Sequence, residues 1–233
     1  MSEYRHIKIK GATQLKNLTN GDVFFLANQF SIKNKSIINA IKRVKNDFPM
    51  AKKHLGNITL DEFISLEVYF SRAANYFKFI NEFLYKDEDF SVENLQKKYP
   101  KLTKRIPYLL KTINMLRFAI EKSPKYEGIV YRGTSLYGES PDSFRNRMKI
   151  GNIVEMKGFT SSSTLSKVAE KIQKEINGEV FYIIKSINGI DSRIINPDES
   201  EVLFKDHSKF RVIKFREIES DGIIRFYIEL EEV

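Results

Sequence analysis

The spacing of apolar positions changes character near the middle of this chain. Over residues 32–55 the apolar residues Ile37, Ile38, Ile41 and Val44 recur at helical spacing between lysines, which predicts an amphipathic helix. Gly56-Asn57 supplies its stop. Thr59-Leu60-Asp61-Glu62 has the form of a capping box, in which the Thr59 hydroxyl and the Glu62 carboxylate satisfy helix-start amides. The helix it opens carries Phe63, Leu66, Phe70, Ala73, Phe77, Ile80 and Leu84 on one stripe, a core-facing pattern. A short helix is expected over residues 92–98, closed by Tyr99-Pro100 because the residue before proline is pushed out of helical space. Another is expected over residues 103–122, with Leu109, Ile113, Leu116, Phe118 and Ile120 apolar and Pro107 marking where regular helix begins. Residues 1–30 hold only an Ile7/Ile9 alternation and an apolar cluster over 22–26, and no element is assigned to them.

From residue 127 the period shortens. Residues 128–131, 153–157, 159–163, 180–185, 193–195, 202–204, 210–218 and 223–230 read as strands. Helices over 142–148 and 165–176 interrupt them, and Ser220-Asp221-Gly222 signals a hairpin turn. The expected fold is α+β: N-terminal helices packed on a mainly antiparallel two-sheet β core. A division into two domains near residue 125 is the alternative. One unit is preferred, because the helices need a partner for their apolar stripes.

Composition narrows the chemistry. The chain has 233 residues, 42% hydrophobic and 30% charged, as a globular protein does. It has no cysteine, which excludes disulfides, zinc-thiolate sites and thiol nucleophiles. Its three histidines, His6, His54 and His207, lie at no metal-ligand spacing, so no metal is expected and a Ser-His-Asp mechanism has little support. No apolar run reaches about 18 residues, and the first ten residues lack the apolar segment of a secretory signal. No membrane span and a cytoplasmic location are therefore expected. The net charge of +9 favours acidic partners such as nucleotides, nucleic acid or acidic protein surfaces. The lysines are dispersed rather than blocked, so a nucleic-acid-associated target is not specifically indicated.

Three stretches at strand ends can carry chemistry. Val130-Tyr131-Arg132-Gly133 puts an arginine at the end of a buried strand, followed by a glycine that allows close backbone approach. A guanidinium there suits bidentate phosphate binding, although an ordinary salt bridge would use the same residue. Phe159-Thr160-Ser161-Ser162-Ser163-Thr164 is rich in hydroxyls that can position a carboxylate or a ribose, or be a plain serine-rich edge strand. Glu199-Ser200-Glu201 precedes the apolar run Val202-Leu203-Phe204. In an extended segment Glu199 and Glu201 would share one face and raise each other's pKa; a solvated acidic turn is the bland reading.

Taken together and in this order, Tyr131-Arg132-Gly133, Phe159-Thr160-Ser161-Ser162-Ser163 and Glu199-Ser200-Glu201 resemble the Arg-Ser-Glu class of mono-ADP-ribosyltransferases. That family contains actin-modifying binary toxins and phage-encoded enzymes. The likeness spans about residues 58–230; it includes Glu201-Val202-Leu203-Phe204, Ser208-Lys209-Phe210 and Phe77-Lys78-Phe79-Ile80-Asn81. Ser162 stands where the family usually has threonine, and no clear aromatic follows Thr164 to pack on nicotinamide. Residues 1–57 lie outside the resemblance and are read as an N-terminal, mostly helical extension; the resemblance implies a catalytic domain over 58–233. It implies NAD as cosubstrate and transfer of ADP-ribose to arginine side chains of a target protein, in the manner of a phage enzyme or bacterial effector. Arg132 and Gly133 would bind NAD, Ser161 would orient Glu201, Glu201 would grip the ribose 2′-hydroxyl, and Glu199 would act on the incoming arginine. Relatives that modify asparagine or cysteine carry glutamine at the first position of the pair, which favours arginine here. The same three stretches would also serve an NAD glycohydrolase. A non-catalytic basic module that binds nucleic acid or protein would retain them without NAD turnover.

Overall fold

The capping box forms as its residues dictate. The Thr59 amide donates to Oε2 of Glu62 at 2.7 Å, and the Glu62 amide donates to Oγ1 of Thr59 at 3.3 Å, so two helix-start amides are satisfied reciprocally. The computed structural model describes residues 34–70, 76–86, 91–100, 103, 106–220 and 222–233. It divides the chain into two compact units, Met1–Lys122 and Ser123–Val233.

In the first unit the described elements are α1 (Asn34–Leu55), α2 (Leu60–Phe70), α3 (Tyr76–Lys86), α4 (Val92–Lys98) and α5 (Ile106–Lys122). The stripe expected on one helix over 63–84 falls on two, α2 and α3, and Ala73 lies outside the described residues. On α5 the positions Leu109, Ile113, Leu116 and Ile120 are buried, whereas Phe118 is 47% exposed. Two positions on a helix turn the side chain to the opposite side, so Phe118 cannot share the stripe of Leu116 and Ile120. Oε1 of the buried Glu62 accepts from Lys122 at 2.6 Å, and Lys111 pairs with Asp61 at 2.5 Å. Both contacts tie α2 to α5. The reading of residues 1–30 lies outside the described residues.

The second unit is built on β1 (Gly128–Thr134), β2 (Ile153–Met156), β3 (Thr160–Ser163), β4 (Val180–Ser186), β5 (Ile190–Asp191), β6 (Glu201–Phe204), β7 (Ser208–Ser220) and β8 (Ile223–Glu232), with α6 (Pro141–Arg147) and α7 (Ser166–Glu175) between strands. The α+β class is as expected. The two-sheet detail is not: the strands join in one hydrogen-bonded order, β2-β7-β8-β4-β1-β3-β6-β5. Only β4 and β8 run parallel; the other neighbours are antiparallel. The order is continuous because β1 and β3 touch, but they pair at a single position, Tyr131 with Ser163. That narrow seam joins a five-stranded leaf to a three-stranded one. Val130, Tyr182, Ile184, Phe204, Phe210, Phe226 and Leu230 form the core with Phe144 of α6, whose ring lies 4.9 Å from that of Phe226.

One expected strand is absent. Residues 193–195 form a turn, because the amides of Ile195 and Asn196 both return to the carbonyl of Ser192, at 2.9 and 3.0 Å. The β7–β8 hairpin closes as expected, with Ser220 opposite Ile223 and Gly222 at φ +73°.

Gly133 explains how α7 lies so close to β1. A Cβ built there would stand 2.3 Å from the carbonyl oxygen of Ala169 and 2.6 Å from Cβ of Gln173, distances at which backbone must move. Gly133→Ala is therefore expected to destabilise the second unit by about 3 kcal/mol, the upper end for overpacking a fitted contact, read as a lower urea midpoint. A midpoint equal to wild type would show that α7 yields freely.

Candidate functional site

The three stretches singled out from the sequence meet at the seam. Nη1 of Arg132, two residues before the end of β1, donates to the backbone carbonyl of Ser161 on β3 at 2.5 Å, so the guanidinium bridges the two leaves beside their single paired position. Antiparallel pairing of β3 with β6 sets Ser163 opposite Glu201 and Ser161 opposite Leu203. Alternation then puts Ser161, Ser163 and Glu201 on one face, while Ser162 turns with Val202 to the other.

Glu201 is only 3% exposed. Its carboxylate is hydrogen-bonded by the side chains of Ser161 and Asn196, the latter through Nδ2 to Oε2 at 2.7 Å. Burial pushes the Glu201 carboxyl up to about 7. The two hydrogen bonds and the Arg132 charge work against that rise, and the Glu199 charge adds to it.

Glu199 reaches this neighbourhood by a route the sequence reading did not anticipate. It belongs to a 3-10 turn, Pro197–Glu199, not to the strand, and Ser200 between the glutamates has φ +46°. Strand alternation therefore does not put the two carboxylates on one face. The turn is fixed from β3: Ser163 Oγ donates to the Glu199 carbonyl at 2.7 Å, and the Thr164 amide and Oγ1 donate to the Ser200 carbonyl at 2.9 and 3.3 Å. These bonds hold Ser200 in the left-handed region, which side chains other than glycine seldom adopt. Glu199 is half-buried, in contrast to Glu201.

Gly133 is buried, and its open side is filled by α7; the close backbone approach inferred from sequence is an approach to a helix. Asn196 was missed altogether. Its signal was the Asn196-Pro197 dipeptide, a turn initiator five residues before Glu201, hidden by the apolar pair Ile194-Ile195.

A family model described as NAD:arginine ADP-ribosyltransferase matches residues 31–230. The chain belongs to the NAD:arginine ADP-ribosyltransferase family. This ADP-ribosyltransferase-family chain is 36% identical over 103 residues to a Mycobacterium avium (strain 104) protein provisionally named NAD(+)–arginine ADP-ribosyltransferase Mav. It is 30% identical over 109 residues to Vis of Vibrio splendidus (strain 12B01), provisionally named in the same way. Each match takes in 43% of this chain, but the chain spans 12% of Mav and 42% of Vis. A crystal structure of Vis in complex with agmatine superimposes at a TM-score of 0.57, with 22% identity over 88% of this chain and 90% of that one. The type III effector XopAI of Xanthomonas axonopodis pv. citri superimposes at 0.63, with 15% identity over 95% of this chain and 88% of its own. At these identities the structural likeness shows a shared ADP-ribosyltransferase fold. Among the described residues no helix is long and apolar enough to cross a membrane.

Ser162, where threonine was expected, is 5% exposed, and its Oγ has no hydrogen-bond partner among the described residues. It faces the apolar side of β3, where an unpaired hydroxyl is costly. Ser162→Ala is therefore expected to stabilise the protein by about 1 kcal/mol, seen as a higher urea midpoint at unchanged m-value; a clear loss of stability would show that the hydroxyl is satisfied.

Proposed function

We propose that this chain transfers ADP-ribose from NAD to arginine side chains of a protein, with residues 58–233 as the catalytic domain. The observation that carries the reading is a buried carboxylate, Glu201, held by a serine and coupled to Arg132, with a second, more exposed carboxylate, Glu199, beside it. Two carboxyls in unlike environments are suited to different tasks at one pH. Family membership supports the reading, and so do the names of Mav and Vis and the agmatine, a guanidinium compound, in the Vis complex.

The chemistry follows from the residues. Apart from its bond to Ser161, Arg132 has N–H groups with no protein partner among the described residues, a fork suited to phosphate oxygens. When the bond between ribose C1′ and nicotinamide breaks, nicotinamide leaves with the electron pair and positive charge grows on the sugar. Glu201, gripping the 2′-hydroxyl, stabilises that charge as it develops, and Ser161 keeps the carboxylate aimed. A guanidinium nitrogen then bonds to C1′. Arginine is protonated at neutral pH and a poor nucleophile, so a carboxylate must orient it and accept a proton; Glu199 does this.

Two substitutions separate the roles. Glu201→Gln lowers both nicotinamide release and transfer to agmatine by about 10²-fold or more. The fold is kept and gains stability above pH 7. The sign follows from linkage: the folded pKa of Glu201 is raised to about 7, so its contribution to stability is greatest below the ordinary carboxylate range and declines as pH rises to about 7. Glutamine carries no charge and escapes that decline. Glu199→Gln abolishes transfer while nicotinamide release persists within about threefold, since water needs no help from this residue. Both products are measured in one reaction. Parallel loss in Glu199→Gln would assign Glu199 to NAD cleavage, and release without transfer in wild type would make the chain a glycohydrolase.

A further inference from the structure

Residues 192–196 form a turn folded back on Glu201. Ser192, wholly buried, donates both its amide and its Oγ to the Glu201 carbonyl, each at 2.9 Å. The Ser192 carbonyl in turn accepts the amides of Ile195 and Asn196. The backbone of Glu201 and this turn are thus one hydrogen-bonded unit, and from it Asn196 returns its side chain to the carboxylate at 2.7 Å.

We propose that Asn196 is a positioning residue of the transferase site, one that holds the Glu201 carboxylate in a single orientation and in its ionised form. The inference rests on the role given above to Glu201. An ionised carboxylate offers only acceptors, so an amide N–H₂ aimed at it is a donor that favours the charged state. Because the same turn grips the Glu201 carbonyl, the donor is fixed relative to the strand start from which the carboxylate projects. Asn196 binds Oε2, and with Ser161 it restrains a group that alternate rotamers would otherwise carry off target. The groups acting on the carboxylate are Arg132 on β1, Ser161 on β3 and Asn196 on the turn, all favouring charge. Glu199 and burial oppose them. Removing one of three supports tips this balance toward the protonated acid, which cannot stabilise a growing positive charge. No pattern in the motif residues themselves announces this contact, since it comes from outside the Glu199-Ser200-Glu201 triplet.

The test uses the full chain and Asn196→Ala. The acid limb of kcat/KM for nicotinamide release is expected to move up by about half a pH unit or more. At pH 6.5 kcat is expected to fall by about tenfold, with KM for NAD changed by less than about threefold. Asn196→Gln, which restores a donor on a longer stem, should recover part of both effects. A folded Asn196→Ala protein with an unmoved acid limb would overturn the proposal, because a purely structural role lowers stability without shifting that limb. A second readout needs no turnover: ¹³C NMR of the glutamate side-chain carboxyls, with Glu201 assigned through Glu201→Gln. The Glu201 midpoint should rise in Asn196→Ala, and an unchanged midpoint would refute the contact. If wild type releases no nicotinamide, the functional reading fails while this titration still decides whether Asn196 sustains the ionised carboxylate. Should Asn196→Ala not fold, Asn196→Leu, similar in shape but carrying neither donor nor charge, is read by the same titration: an upward shift supports the proposal and none defeats it.

Discussion

A carboxylate withdrawn from water must be compensated or it takes up a proton, and Glu201 is the group on which that constraint falls. Its 3% exposure pushes it toward the neutral form, and the donors around it work against that push. Each neighbouring element contributes to meeting that demand. β3 supplies Ser161, the 192–196 turn supplies Asn196, and β1 brings Arg132 to the same place while its guanidinium also holds β3. The pairing of Ser163 with Glu201 aligns these pieces, and the core strand β6 anchors the glutamate from behind. The result is a carboxyl balanced near neutrality, in contrast to the more exposed Glu199 one turn away.

Much of this was legible in the sequence, for identifiable reasons. Arg132 and Glu201 stand out because a charged residue adjoins an apolar run, and Ser161 because it lies in a strand made wholly of hydroxyl residues. The capping box at Thr59 and the hairpin at Gly222 were legible because both are local, requiring only residues three or four apart. What escaped was non-local or conformational. Ile194 and Ile195 read as strand because β-branched residues favour it, but the carbonyl of Ser192 draws the following amides into a turn. The i, i+2 argument for Glu199 and Glu201 presumed extended backbone, and Ser200 at positive φ breaks it. Gly133 was correctly marked as a place of close approach, yet only the fold shows that the approaching backbone is that of α7.

The same distinction accounts for the sheet. Alternating patterns identified nearly every strand, but how many sheets they make is decided by whether β1 touches β3. That contact is one residue pair long and leaves no trace in composition or period.

The narrowness of that seam has a consequence for cooperativity. Stability within a domain is not uniform, and units joined by few contacts open before the whole unfolds. In backbone pairing the five-stranded leaf is secured by long ladders between β1, β4, β8 and β7, whereas β3, β6 and β5 reach it through one β1–β3 rung, the Arg132 bridge and the isolated Lys125–Ile190 bridge, besides the core that Phe204 shares with Phe210. Sub-global opening along this line would separate Arg132 from Ser161 and Glu201 while the larger leaf stayed intact. Amides of β3 and β6 would then exchange with solvent faster than those of β4 and β8, and the site would be taken apart at temperatures where most of the fold still registers as native. A ligand spanning the guanidinium and the carboxylate would act as a second rung, lending the smaller leaf the protection of the larger.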